Sequence, residues 1–238
     1  GTLALSAWYG GNVDPALALR AVRMFGLVRE WFRKDVADSS LPTVDKALLQ
    51  TQLGAEELST SYRGSGADWR GFPVSDRFLD NLQALAAMAV REDIAVIGRL
   101  AGVDASAPLG HRLALGTHVI DGRVRISPAM LATLLAAAGQ ASEAEWGMLG
   151  TVLGHELAHL LRDAPGLSPQ GKLVMEREDA VIRQRIGDMW VGPRHLDADR
   201  VFDEAACDLR GLSAAYRAGE AEAAAAGRHF DRRRFFMA

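Results

Sequence analysis

The chain has 238 residues, 49% of them hydrophobic, and a formal net charge of −3. That length suits one domain with a sizeable core, and that composition excludes a disordered chain. The charge argues against a nucleic-acid partner held by phosphate contacts, and the absence of any run of about twenty apolar residues predicts no membrane span.

The chain opens Gly1-Thr-Leu-Ala-Leu, with no Met and no basic leading region, as expected of a trimmed or processed product. Asp14-Pro15 is a helix start, and Leu17, Val22, Phe25, Leu27 and Trp31 carry that helix to about Lys34. Pro42-Thr43 opens a second helix to about Glu57. Residues 60–73 carry Ser, Gly, Asp, Arg and Pro73 and read as a loop. Ser75 caps a longer helix with Phe78, Leu82, Leu85, Met88 and Ile94 on one face. Each of these faces is read as core packing.

The pattern changes near Leu109. Arg112 to Ile120 is strand-like, Asp121-Gly122 is a two-residue hairpin signal, and Arg123-Val-Arg-Ile126 is the return strand. Ser127-Pro128 starts a helix to about Ala138. Ser142 with Glu145 has capping-box spacing for the next helix. That helix ends at Asp163-Ala-Pro-Gly166. Another is expected over residues 173–187, and Gly192-Pro193 breaks the chain. Asp197 caps a final helix striped by Val201, Ala205, Leu209, Leu212 and Tyr216. The tail, with Arg232-Arg-Arg-Phe-Phe236, is read as a solvated charge run. Residues 1–238 thus read as a single domain: a helical part over 1–108, a core over 109–218 and a tail over 219–238. The fold class is α+β, mostly helical, with a small antiparallel sheet ahead of the helix at 151–162.

That helix carries His155-Glu156-Leu-Ala-His159. Residues i and i+4 of a helix share a face, so His155 and His159 can ligate one metal ion. Glu156 lies about 100° round the helix from His155, beside the open coordination position, where hydrolysis needs a base and simple metal binding does not. This is the zinc metalloprotease arrangement. Leu149, Leu153, Leu157 and Leu160 give the helix an apolar side, and the chain has only six histidines, so a solvated coincidence is the weaker reading.

A catalytic zinc takes three protein ligands. The metzincin pattern fails, because Arg162 and Pro165 stand where it requires Gly and His. Two candidates are left. Glu178 lies in a charged segment that also reads as a solvated helix face. Glu204 stands four residues before Asp208, so the two carboxylates share a face of the last long helix. There Glu204 can reach the metal and Asp208 can accept the N–H of a ligating His, fixing its ring. Glu204 is preferred to Glu178. Gly211, one turn further, would let two helices approach closely.

His155-Glu-x-x-His159 followed by Glu204-x-x-x-Asp208 resembles the gluzincin metallopeptidases. The long spacer, and the run Leu113-Ala-Leu-Gly-Thr-His-Val-Ile with Val-Arg-Ile-Ser-Pro-Ala-Met-Leu ahead of the motif, look most like the HtpX/Oma-type and minimal gluzincins, over about residues 109–216. ImmA/IrrE-like and Lit-like peptidases share the motif helix. Cys207 stands where those families have Ala, and no relative is evident for residues 1–100. The resemblance implies a zinc-dependent endopeptidase acting on a protein or peptide, with one Zn2+ and Glu156 as general base. It also implies an edge strand near Leu113–His118 that pairs with extended substrate. The alternatives are a catalytically inactive zincin-like binding or regulatory protein, and a helical scaffold with a coincidental motif. Oxyanion stabilisers are sought among His195, Arg210, Tyr216 and His229. His111 and His118 are assigned structural or solvent roles. Cys207 is the only cysteine, so no intrachain disulfide can form; that suits a cytoplasmic location and is compatible with a secreted or periplasmic one.

Overall fold

The computed structural model describes residues 15–60, 75–87 apart from 78, 82 and 85, 117–120, 123–138, 142–162 and 164–238. The expectations for 61–74, 88–116 and the Asp121-Gly122 corner lie outside these.

Helix α1 (Pro15–Asp38) begins at its proline and runs a turn beyond the predicted end. Ala21, Met24, Phe25, Val28, Phe32 and Val36 recur every three or four residues and are all buried, so one stripe of α1 faces the core. Helix α2 (Thr43–Ala55) folds back on it. Arg33 and Gln50 exchange hydrogen bonds between the two helices.

Strands β2 (Thr117–Ile120) and β3 (Arg123–Ile126) pair antiparallel across the predicted hairpin, Thr117 opposite Ile126 and Ile120 opposite Arg123. A two-residue strand, β1 (Leu58–Ser59), joins them in parallel on the far side of β3, giving the order β1-β3-β2. It is too short to leave a period in the sequence. Ser127 accepts from the backbone N–H of Met130 at 3.0 Å and so starts α3 (Pro128–Ala138).

The next helix is continuous but not uniform. Helix α4 (Ser142–Glu145) passes into one π-helical turn (Trp146–Gly150) and then into α5 (Thr151–Arg162). Such turns are rare and often lie beside functional sites. Trp146 is buried there, and its indole N–H reaches Glu222 at 3.0 Å. The capping box is not made: Glu145 pairs with Arg20, and the Ser142 hydroxyl accepts from Arg228 at 3.1 Å. A buried carboxylate is better satisfied by a guanidinium than by one backbone amide.

Helix α5 ends before Gly166, whose φ of 93° only glycine adopts readily. Helix α6 (Pro169–Gly187) starts a turn earlier than predicted, since Ser168 caps it and Pro169 takes its first position. The buried carboxylate of Asp45, in α2, accepts from the Ser168 backbone N–H at 2.7 Å and from its hydroxyl at 2.6 Å. Strands β4 (Trp190–Val191) and β5 (Arg194–His195) form a small hairpin where only a break was expected. Gly192, at φ 59°, supplies the positive φ of its first corner.

Helix α7 (Ala198–Ala225) is capped by Asp197 as predicted and is the longest described. The tail is not simply solvated. Helix α8 (Arg232–Phe236) leaves its arginines exposed but buries Phe235, while Phe230 and Phe235 pack edge-on and tilted around Tyr216 and each other. The charges are what the sequence advertises; the aromatics between them decide the packing. No helix among the described residues is long and apolar enough to cross a membrane.

Candidate metal centre

Leu149, Leu153 and Leu157 are fully buried, which fixes one side of α5 to the core and turns His155 and His159 toward α7. The two helices touch backbone to backbone. A Cβ on Gly154 would lie 2.7 Å from the Gly211 carbonyl oxygen and 2.8 Å from its Cα, and a Cβ on Gly211 would overlap the amide nitrogen of His155. The predicted close approach at Gly211 is present, and Gly154 is its unforeseen partner. A glycine in mid-helix costs about 1 kcal/mol relative to Ala, which is the signal that marks it.

This contact sets the ligand geometry. Gly154 faces Gly211, His155 faces Asp208 and Arg162 faces Asp203, so α5 and α7 run antiparallel. One nitrogen or oxygen each of His155, His159 and Glu204 lies within 4.8 Å of the others. The Nε2 atoms of the two histidines are 3.0 Å apart, and those of His155 and His159 are 3.3 Å and 3.7 Å from the Glu204 oxygens. Two nitrogens bound to tetrahedral zinc at about 2.0–2.1 Å stand about 3.3 Å apart, so two imidazoles and one carboxylate at this spacing fit the ion.

His155 Nδ1 lies 2.8 Å from Asp208 Oδ1. With Nδ1–H donated to that carboxylate, Nε2 keeps its lone pair toward the cluster, the tautomer a metal ligand needs. Glu156 is buried and makes no hydrogen bond or ion pair to any described residue. Two carboxylates, Glu204 and Asp208, against two imidazoles make a cation-attracting cluster.

Glu178 lies elsewhere. With Asp179 it faces Arg210, at 3.4 Å and 3.3 Å from Nη2. Arg210 is thereby committed to α6. Tyr216 donates to Glu220 at 3.0 Å and sits in the α8 aromatic cluster, His195 packs on Trp190 in the β4–β5 hairpin, and His229 is exposed beyond α7. Neither histidine of these four belongs to the group of candidate metal ligands. Cys207 is buried in the main core, outside the ligand group. His111 and the side chain of His118 lie outside the described residues. Two groups that the sequence reading passed over do stand beside the cluster, Arg162 and Asp203, their atoms 2.7 Å apart. A pair contributed by separate helices has no spacing to reveal it.

No protein-family model and no curated protein matches this chain. Among solved structures it is similar to the Mycobacterium tuberculosis zinc metalloprotease Zmp1 in complex with inhibitor, with a TM-score of 0.71 at 16% sequence identity. The likeness covers 92% of this chain and 36% of that one, so the chain spans little more than a third of Zmp1's length. The fold is therefore that of a mostly helical, zincin-like α+β domain.

Proposed function

We propose that the chain is a zinc-dependent endopeptidase of gluzincin type, the HtpX/Oma-like variant being the one its hairpin and long spacer resemble. The observation that carries this is the convergence of His155, His159 and Glu204 at ligand spacing, with Glu156 on the same turn as the first histidine. The likeness to Zmp1 supports a peptidase reading.

His155, His159 and Glu204 would hold the ion, and Asp208 would keep His155 in its ligating tautomer. Zinc there supplies Lewis acidity, polarising a peptide carbonyl and bringing the pKa of water toward neutrality. Glu156 accepts the proton of the attacking water on its carboxylate and delivers it to the departing amine, so it starts and ends the cycle ionised. Strand β2 lies against α5 and has β3 as its one neighbour among the described residues. An extended peptide adding to its other edge would run past the cluster, satisfying backbone groups strand to strand.

The test is zinc analysis of the purified chain with cleavage of a mixed peptide library. Glu156→Gln keeps the side chain's shape and removes the base. It should retain stoichiometric zinc and lose at least about a hundredfold in cleavage, the low end of what a general base contributes. A wild type that binds zinc and cleaves nothing would instead favour an inactive binding protein. Equal cleavage by the variant would remove Glu156 from the mechanism.

A further inference from the structure

Glu204 is held between two points of contact between α7 and its neighbours. One is the glycine seam about two turns further on. The other is a polar junction that begins at the residue before it. Arg162, one turn beyond His159, places Nη2 2.7 Å from Asp203 Oδ1 on α7 and Nη1 3.6 Å from Asp179 Oδ2 on α6. Its guanidinium also lies 4.4 Å from the ring centroid of Phe202, which is wholly buried. Arg183, from α6, stands 3.8 Å from the same centroid and bonds Asp199 at 2.7 Å. Phe202 thus packs under guanidinium groups from both α5 and α6, and each of these arginines is tied to an α7 carboxylate.

We propose that Arg162 is a positioning residue for the third metal ligand, a role that rests on the reading of His155, His159 and Glu204 as a zinc site. Successive residues on a helix are turned by about 100°, so a small rotation of α7 at Asp203 swings the Glu204 carboxylate away from the histidines. The glycine seam limits how near the helices come; it has no side chain to resist rotation. Arg162 supplies that resistance. The task suits arginine rather than lysine, because a planar fork can reach carboxylates on two helices while it stacks on an aromatic ring. Asp179 and Asp203 have a second effect. They neutralise a cation that would otherwise face a divalent ion one turn away.

The test uses the full chain as wild type, Arg162→Met, Arg162→Lys and Asp203→Asn, with Glu204→Ala as the reference for loss of the ligand. Zinc affinity is measured by chelator competition, and Co2+ is bound in its place so that its visible absorption reports the ligand set. Arg162→Met and Asp203→Asn should each weaken zinc about tenfold or more, the cost usual for a group that orients a ligand. They should also shift the Co2+ spectrum toward that of Glu204→Ala. Arg162→Lys, with charge but no fork, should recover less than half of the lost affinity on a logarithmic scale. A purely structural role would lower the melting temperature of metal-free protein and leave the Co2+ spectrum unchanged, and that result overturns the proposal. So does zinc affinity within about twofold of wild type in both variants. Should Arg162→Met fail to fold, Asp203→Asn, which removes a charge at constant shape, decides alone. If wild type binds no zinc, the metal reading falls and the positioning role with it. If Glu204→Ala weakens zinc and the other variants do not, only the positioning role falls.

Discussion

A side chain that is to ligate a metal needs a partner that gives it a definite state. For His155 that partner is Asp208. A neutral imidazole can donate from either ring nitrogen, and the 2.8 Å contact selects Nδ1. Removing the carboxylate leaves the ring free to turn and to change tautomer. Asp208→Ala should weaken zinc binding about 10–100-fold, measured by competition with a chelator, while circular dichroism of the metal-free protein is unchanged. Much of this was legible from sequence, since His155, His159, Glu204 and Asp208 lie at helical spacings that fix their faces. The choice of Glu204 over Glu178 rested on the same spacing, and the structure puts Glu178 with Arg210 instead. What spacing could not supply was any pairing between helices, such as Arg162 with Asp203.

At the scale of elements, the pair α5 and α7 is the centre's frame, and its tightest point is Gly154 against Gly211. Helix axes in ordinary packing stand about 8–10 Å apart, set by the side chains between them. Two glycines remove those side chains, so the candidate ligands of one helix reach that of the other. Gly211→Ala should therefore cost about 1–3 kcal/mol in chemical denaturation, the range for overpacking, and should also weaken zinc because the helices are pushed apart. Wild-type zinc affinity in a destabilised variant would show that this contact serves stability alone. Helices long enough to show a period were found from sequence with ends correct to about a turn, except that α7 runs on to Ala225, more than two turns past Tyr216 and into what was expected to be the tail. β1 and the β4–β5 hairpin were not, because strands of two residues exist only through their partners. The π-helical turn at Trp146–Gly150 has no sequence period of its own either; it arises where Trp146, Gly147 and Gly150 meet α7 and α8.

For the whole molecule, the C-terminal segment closes one end of the core. Phe235 and Phe230 are buried there, and Tyr216, Glu220 and Arg232 form the polar rim. The Tyr216 hydroxyl, then Arg232 and Arg217, hold the Glu220 carboxyl below its ordinary range. Burial and the bond to Glu220 push the Tyr216 hydroxyl up. A carboxyl lowered in the folded state adds stability above its unfolded pKa and loses it as pH falls through its folded value. Tyr216→Phe removes the largest cause, so the Glu220 titration followed by carboxyl-carbon NMR should move up toward an ordinary glutamate. An unmoved titration would assign the shift to the arginines. The sequence suggested a solvated tail here because charge patterning is read residue by residue, whereas burial of Phe235 depends on what α7 places above it.

The buried Asp45 also bears on the order in which the molecule assembles. Its bonds to Ser168 span 123 positions in the chain. Helices α1 and α2 can meet through neighbours close in sequence, and so can the two arms of the β2–β3 hairpin. The bond from Asp45 to the start of α6 has no such local route, and closing so long a loop carries an entropic cost before any contact repays it. The seating of Ser168 on Asp45 is accordingly expected among the last steps, with low φ-values at both residues in a kinetic analysis. Arg162 with Asp179 and Arg183 with Asp199 bridge far shorter stretches of chain. The ionic backing of the candidate metal centre can therefore form before that seam closes.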